Sequence, residues 1–248
     1  MEVHHHPDLH HKKKRWKEYF LEFLMIFLAV TMGFFAESYR EHLVNAEKEK
    51  HYAKGLFDDL RKDTTNINHL INQQSMLVVK IDNALEIPMS KMMELPAQES
   101  FYKNFIYFYS FVPVFFRNES TITQLKSGGG FNVFPNQSLV DSISRLDNFY
   151  DKIKYNNDWY IKSCDYVDNT ANQFMIIQKI PSDFNDSLLA VFPQSTKLFA
   201  NYDSHLIIQL YNTIKVERSM LDLLIAMENN YKEKCISLLN YLTQEYPM

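Results

Sequence analysis

YFLEFLMIFLAVTMGFFA, residues 19–36, is the stretch around which the chain is organised. As a helix its last seventeen residues rise about 26 Å, close to the hydrocarbon thickness of a bilayer. Ten of those seventeen are Leu, Ile, Val or Phe. At roughly −0.3 to −0.6 kcal/mol apiece they outweigh the single carboxylate among them, Glu22. The stretch is therefore expected to be a transmembrane helix. Trp16 and Tyr19 stand at its start, at headgroup level, and Glu37 lies just past its end.

Working outward, Lys12, Lys13, Lys14, Arg15 and Lys17 crowd the N-terminal flank, whereas Arg40 is the nearest cation on the other side. That asymmetry is expected to keep the N-terminus in the cytoplasm and put the bulk of the chain outside. A cleaved signal peptide shares the basic start and the apolar run. It also needs a small-x-small cleavage site, and Phe34, Phe35 and Ala36 do not make one. Glu22 has two readings. It is an interfacial residue near Lys17 and Trp16, or a carboxylate inside the membrane that carries an ion or pairs with a partner. His4, His5, His6, His10 and His11 read as a solvated tail, with weak metal binding or pH-dependent lipid contact as alternatives. Pro7 interrupts them, so no fixed coordination geometry is implied.

These residues carry a resemblance. EVHHHPDLHHKKKRWKEYFLEFLMIFLAVTMGFFAESYREH resembles the N-terminal module of an uncharacterised single-pass membrane family of Bacteroidota. A His-rich start, a W-K-E-Y-F-x-E-F box, F-L-A-V-x-x-G-F-x-A-E and R-E-H recur there. TITQLKSGGGFNVFPN, residues 121–136, is similar to a second segment of that family, T-I-x-x-L-K-S-x-G. Three consecutive glycines stand here where the family more often has one. The resemblance implies native histidines and membrane anchoring, and it brings no activity with it. The expected location is a bacterial inner membrane. Residues 1–18 are then a cytoplasmic His/Lys-rich tail, 19–36 the span, and 37–248 a periplasmic helical bundle.

The chain has 248 residues, 46% hydrophobic and 15% aromatic, with only five glycines. Low glycine and long polar–apolar alternation argue for an all-α fold. Residues after Ala36 carry 21 Lys and Arg against 26 Asp and Glu. That balance excludes a generally basic nucleic-acid surface. Leu56, Leu60, Ile67, Leu70, Gln74, Leu77, Ile81 and Leu85 recur in steps of three and four, as in a coiled-coil seam, so the span is expected to continue unbroken to about Leu85. A second helical region is expected from about Gln98 to Gly128, kinked at Pro113 and restarted by a Ser120 cap. Lys126, Ser127, Gly128, Gly129 and Gly130 read as its C-cap and a tight corner, with Lys126 facing the helix's negative end. SGGG follows a helix and precedes no GK[ST], so it is not a phosphate loop.

A third helix is expected from about Ser138 to Ile180 and a fourth from Ser204 to Tyr246, with a short helix near residues 187–192 between them. The expected architecture is one transmembrane helix continuing into an up-down-up-down four-helix bundle. Glu217 interrupts the seam of the last helix and marks a polar spot in the core. In that register Cys164 and Cys235 lie about 20 Å apart in height, too far for a disulfide. No HExxH, GxSxG, GxGxxG or calcium-loop pattern occurs, so no catalytic residue, metal site or cofactor is expected. The functional expectation is a non-enzymatic interaction or scaffolding protein at the bilayer. Its partner would be a membrane or periplasmic protein, or a second copy of the chain. The alternatives are a ligand-sensing bundle signalling through a partner, and an ion-coupled, stator-like protein using Glu22.

Overall fold

The structure is a computed structural model that describes residues 15–109, 111–177 and 198–247. The fold is all-α, with five α-helices among the described residues. They are α1 (Trp16–Leu85), α2 (Leu95–Phe105), α3 (Ser120–Ser127), α4 (Gln137–Ala171) and α5 (Ser204–Glu245). The chain divides into two units, Met1–Lys50 and His51–Met248, and α1 contributes to both. In the first unit the described residues form one helix, most of whose apolar side chains are exposed.

The second unit is built on three long helices with one spacing. A stripe of buried positions on α1 runs 53, 56, 60, 63, 67, 70, 74, 77, 81 and 84, alternating steps of three and four, with Asp59 buried beside it. On α4 the stripe runs 139, 143, 146, 150, 153, 157, 160, 164, 167 and 171, with Asp147, Ser163 and Thr170 buried beside it, and on α5 it runs from 214 to 242 in the same rhythm. Such spacing keeps one stripe of each helix toward common neighbours over many turns. It moves five expected core positions by one residue: Ala84, Tyr150, Ile207, Leu221 and Glu228 are buried where the apolar pattern of the sequence points to Leu85, Phe149, Leu206, Met220 and Met227. α5 runs antiparallel to α1, since Asn68 meets Lys232 and Asp82 meets Arg218. It is also antiparallel to α4, where Asn136 meets Tyr241 and Cys164 meets Glu217.

The second helical region departs from expectation. It is not one helix kinked at Pro113. α2 ends at Phe105, residues 106–109 form turns, and 111–119 have no regular secondary structure before α3 begins. The composite passes α1 and α4 in reverse order, with Asn118 on Asp63 and Pro113 on Gln74, then Arg117 on Asp147 and Asn157 on Phe115. We call residues 111–119 the arm. α2 also starts three residues earlier than Gln98, with Pro96 in its first turn, where proline's missing N–H costs nothing.

The helix ends have identifiable causes. The Asn136 side chain accepts from the Ser138 and Leu139 amides to start α4, and Asp203 does the same for His205 and Leu206 on α5. Ser120 does not cap α3. It is the first helical residue, and Asp59 on α1 accepts from the Thr121 amide at 2.9 Å instead. α4 stops at Ala171 rather than Ile180. Ile176 and Ala200 then donate to Leu198 and Phe174, pinning the start of the α4–α5 connection to its end. The short helix expected at 187–192 lies outside the described residues.

Two apolar clusters fill the interior. One joins Leu77, Ile81 and Ala84 of α1 to Phe101 and Phe105 of α2, Tyr160 to Ala171 of α4 and Ile207 to Leu224 of α5. The other joins Ala53 to Leu70, Phe115, Leu125, Leu139 to Ile153 and Tyr231 to Leu242. Met92 is fully buried in the first cluster, while Met89 and Met93 are exposed. Cys164 belongs to the first cluster and Cys235 to the second, and both are free and buried.

Candidate functional site

Two features concentrate chemistry. The first is the N-terminal part of α1. An 18-residue window there has mean hydropathy 2.0, and none of it is buried within the protein. By length and composition this helix is able to cross a membrane. Trp16 stacks on Phe20 at its start, and Glu37 pairs with Arg40 past the apolar run. Glu22 is exposed. At 100° per residue it shares a face with Ala29, Gly33 and Ala36, while Phe20, Leu24, Phe27 and Thr31 lie on the opposite side. His4, His5, His6, His10 and His11 lie outside the described residues.

The second feature is a set of buried polar side chains that grip the arm. A chain segment without helix or sheet partners leaves its amides and carbonyls unsatisfied, which is costly in an apolar interior. Here the neighbouring helices satisfy them with side chains. Gln74 Nε2 donates to the Pro113 carbonyl at 3.2 Å and Asn157 Nδ2 to the Phe115 carbonyl at 3.1 Å. The Tyr150 hydroxyl accepts from the Arg117 amide, and Asp63 Oδ1 accepts from both the amide and the side chain of Asn118. Burial raises the Asp63 carboxyl above its ordinary range, against the lowering effect of the Asn118 hydrogen bonds.

Arg117 anchors the lower end of the arm. Its guanidinium donates to Asp147 at 2.5 Å and lies 4.2 Å over the Tyr150 ring. Lys126 joins the same carboxylate, so it crosses to α4 instead of only facing the end of α3. Burial works against ionised Asp147, but Lys126 and Arg117 outweigh it and hold its pKa below the ordinary value. Burial also works against the Arg117 charge, and Asp147, Tyr231 and Glu119 together more than offset it. Beside them is a cavity of about 20 Å³, room for one water, lined in part by Asp59, Asp63, Asn118 and Tyr231. Below it Gly128 caps α3, Gly129 takes φ +65°, and Gly130 packs against Leu125 and Tyr52. The SGGG corner is thus a turn made by glycine's access to the left-handed region.

Higher up, Gln74, Asn157 and Glu228 occupy one level. Each sits in its helix between a residue of one apolar cluster and a residue of the other. Gln74 Nε2 bridges Pro113 and Glu228 Oε1, the latter at 3.1 Å. Gln74 Oε1, Asn157 Oδ1 and Glu228 Oε2 are buried without a hydrogen-bond partner. Further along α5, Glu217 is fully buried, as the break in the seam suggested. Cys164 Sγ donates to its Oε1 at 3.7 Å, and Oε2 has no partner. Burial pushes both carboxyls up to about 8. Asp168 adds to the shift at Glu217, and hydrogen bonds from Cys164 and Gln74 partly oppose it. The sequence reading missed Glu228, Asn157, Asp63 and the Arg117–Asp147 pair. Strict three-and-four counting reveals the first three, whereas the pair depends on the arm.

Among the described residues no three His, Cys, Asp or Glu side chains are placed to hold a metal ion. Two surface grooves lie between α4 and α5. One of about 490 Å³ is lined in part by Ser142, Arg145, Glu233, Lys234 and Tyr241. The other, about 380 Å³, includes Tyr166, His205, Ile208 and Val216. No family model matches the chain, and no curated protein or solved structure is significantly similar to it. The resemblance of the N-terminal module therefore rests on its residues alone.

Proposed function

We propose that the chain is a single-pass membrane protein whose helical unit acts outside the cytoplasm as a non-enzymatic interaction or scaffolding module. The observation that carries this reading is the uncovered apolar run of α1, in the same helix that supplies the seam of the second unit. Exposed side chains such as Phe23, Ile26, Phe34 and Phe35 leave water at little cost only in lipid or against another span. The bacterial inner membrane, a cytoplasmic N-terminus and a periplasmic bundle with coiled-coil-like packing belong to the same proposal. The cation asymmetry of residues 12–17 supports the orientation. Exposed Tyr166, Ile208 and Val216 on the α4–α5 face support a protein partner or a second copy of the chain. A ligand-sensing bundle is the second reading, favoured by the groove those residues line.

The test is a pair of fusions to a reporter that is active only outside the cytoplasm. Fused after Met248 it should be active, and fused before Val3 it should be silent, with the protein retained in carbonate-washed membranes. The reverse pattern, or release by carbonate, overturns the proposal. Co-purification from detergent-solubilised membranes then separates the two readings: a stoichiometric protein partner supports scaffolding, and a bound small molecule supports sensing.

A further inference from the structure

The polar layer at Gln74, Asn157 and Glu228 has too many acceptors for its donors. Both Nε2 hydrogens of Gln74 are used, on Pro113 and on Glu228 Oε1, and Asn157 donates to Phe115. Three acceptor oxygens are left over, Gln74 Oε1, Asn157 Oδ1 and Glu228 Oε2, against two unused donors, the second hydrogen of Asn157 Nδ2 and the Tyr160 hydroxyl, which is also buried without a partner. No cation among the described residues is directed at Glu228. Arg117 of the arm is committed to Asp147 and Glu119, Lys232 of α5 donates to Asn68, and Arg218 is held by Asp82 and Asp222. From α4 the titratable group that bears on it is Tyr160, itself pushed well up by burial. A carboxylate at full burial with no countercharge is expensive, whereas a carboxylic acid supplies the donor the layer lacks.

We infer that Glu228 holds a proton at acidic and neutral pH while the arm is seated, and that the arm unseats more readily as that proton is lost. The arm is the piece that moves because no backbone ladder holds it. Its grip at this level is the Gln74 bridge, which ties Pro113 and Glu228 to one amide. Opening lets water reach Glu228, which ionises in the open state near pH 4.5 and in the closed state at about 8. Proton release therefore accompanies opening between those two values, and the opening constant rises with pH across that window. Below and above the window it is flat.

The experiment is hydrogen exchange on the full chain in detergent micelles, followed in peptides covering residues 111–119 and corrected for the intrinsic pH dependence of exchange. Between pH 5 and pH 7 the opening constant of the arm should rise roughly seventyfold, and peptides from the middle of α4 report separately the pH dependence of global unfolding, to which Glu217 also contributes. Glu228→Gln should make the arm's opening independent of pH. An unchanged rise in Glu228→Gln, or arm amides that open no more readily than those of α4, overturns the inference. Infrared spectroscopy of the unmodified chain gives a check independent of that variant's folding. Glu228 isotope-edited among the glutamates should show a protonated carboxyl stretch at pH 6, and carboxylate bands alone would refute it.

Discussion

Glutamine at position 217 keeps the volume of the glutamate and removes its ability to ionise. In the folded protein Glu217 is fully buried, with Cys164 Sγ 3.7 Å from one oxygen and nothing bonded to the other. Burial, with Asp168 nearby, raises its pKa from 4.5 to about 8. A folded-state value above the unfolded one means that the folded protein keeps a proton that the unfolded chain releases. The acid's contribution is fully present below pH 4.5 and is lost as pH rises toward 8, after which stability is level again. The whole loss is at most about 5 kcal/mol, of which roughly 3 kcal/mol has accrued by pH 7. Glu217→Gln should therefore match the wild type at pH 4.5 and exceed it by about 3 kcal/mol at pH 7. For a unit of this size that is a rise of roughly 6–12 °C in Tm. Thermal melts of both full-length proteins by circular dichroism, at pH 4.5, 6, 7 and 8, measure it. A variant weaker than wild type by the same amount at every pH would refute the reasoning, since Glu217 would then be acting as a satisfied acceptor.

The Arg117–Asp147 pair makes the opposite prediction. Both side chains are buried, so Asp147→Asn strands a guanidinium and should cost about 3 kcal/mol in chemical denaturation. Gly55→Ala should also destabilise, although alanine ordinarily strengthens a helix, because a Cβ there meets Thr121 Oγ1 at 2.8 Å. The expected cost is about 1–2 kcal/mol, and Thr121→Ala in the same chain should recover most of it, as a double-mutant cycle will measure.

Much of the fold was legible because the long helices carry it in their spacing. Leu56 to Ile81 on α1 and Ile143 to Val167 on α4 repeat every three and four residues, a pattern that helices display and strands cannot. Glu217 stood out for the same reason, as an acid at a position where the period required an apolar side chain. Glu228 was passed over because Met227 beside it looked like the better core residue. Composition ranks side chains singly, while the period decides which one points inward. The arm was the larger miss. Nine aromatics between Phe101 and Phe116 looked like a helix, and Pro113 only like a kink. What makes an extended path affordable there is a set of donors and acceptors on α1 and α4, 39 to 55 residues away for Gln74, Asn157 and Asp63. No local pattern records that.

The polar layer also interrupts the medium through which packing strain travels. Apolar contacts are continuous within each cluster, but Gln74, Asn157 and Glu228 stand between them on all three long helices. A cavity opened near Tyr160 and one opened near Tyr150 are felt by different sets of neighbours. Their energetic costs should simply add, as they do for sites that share no partners. Either half of the interior is thus free to be rebuilt by substitution without retuning the other. The helices that run through both halves, rather than the core itself, make the unit fold as one.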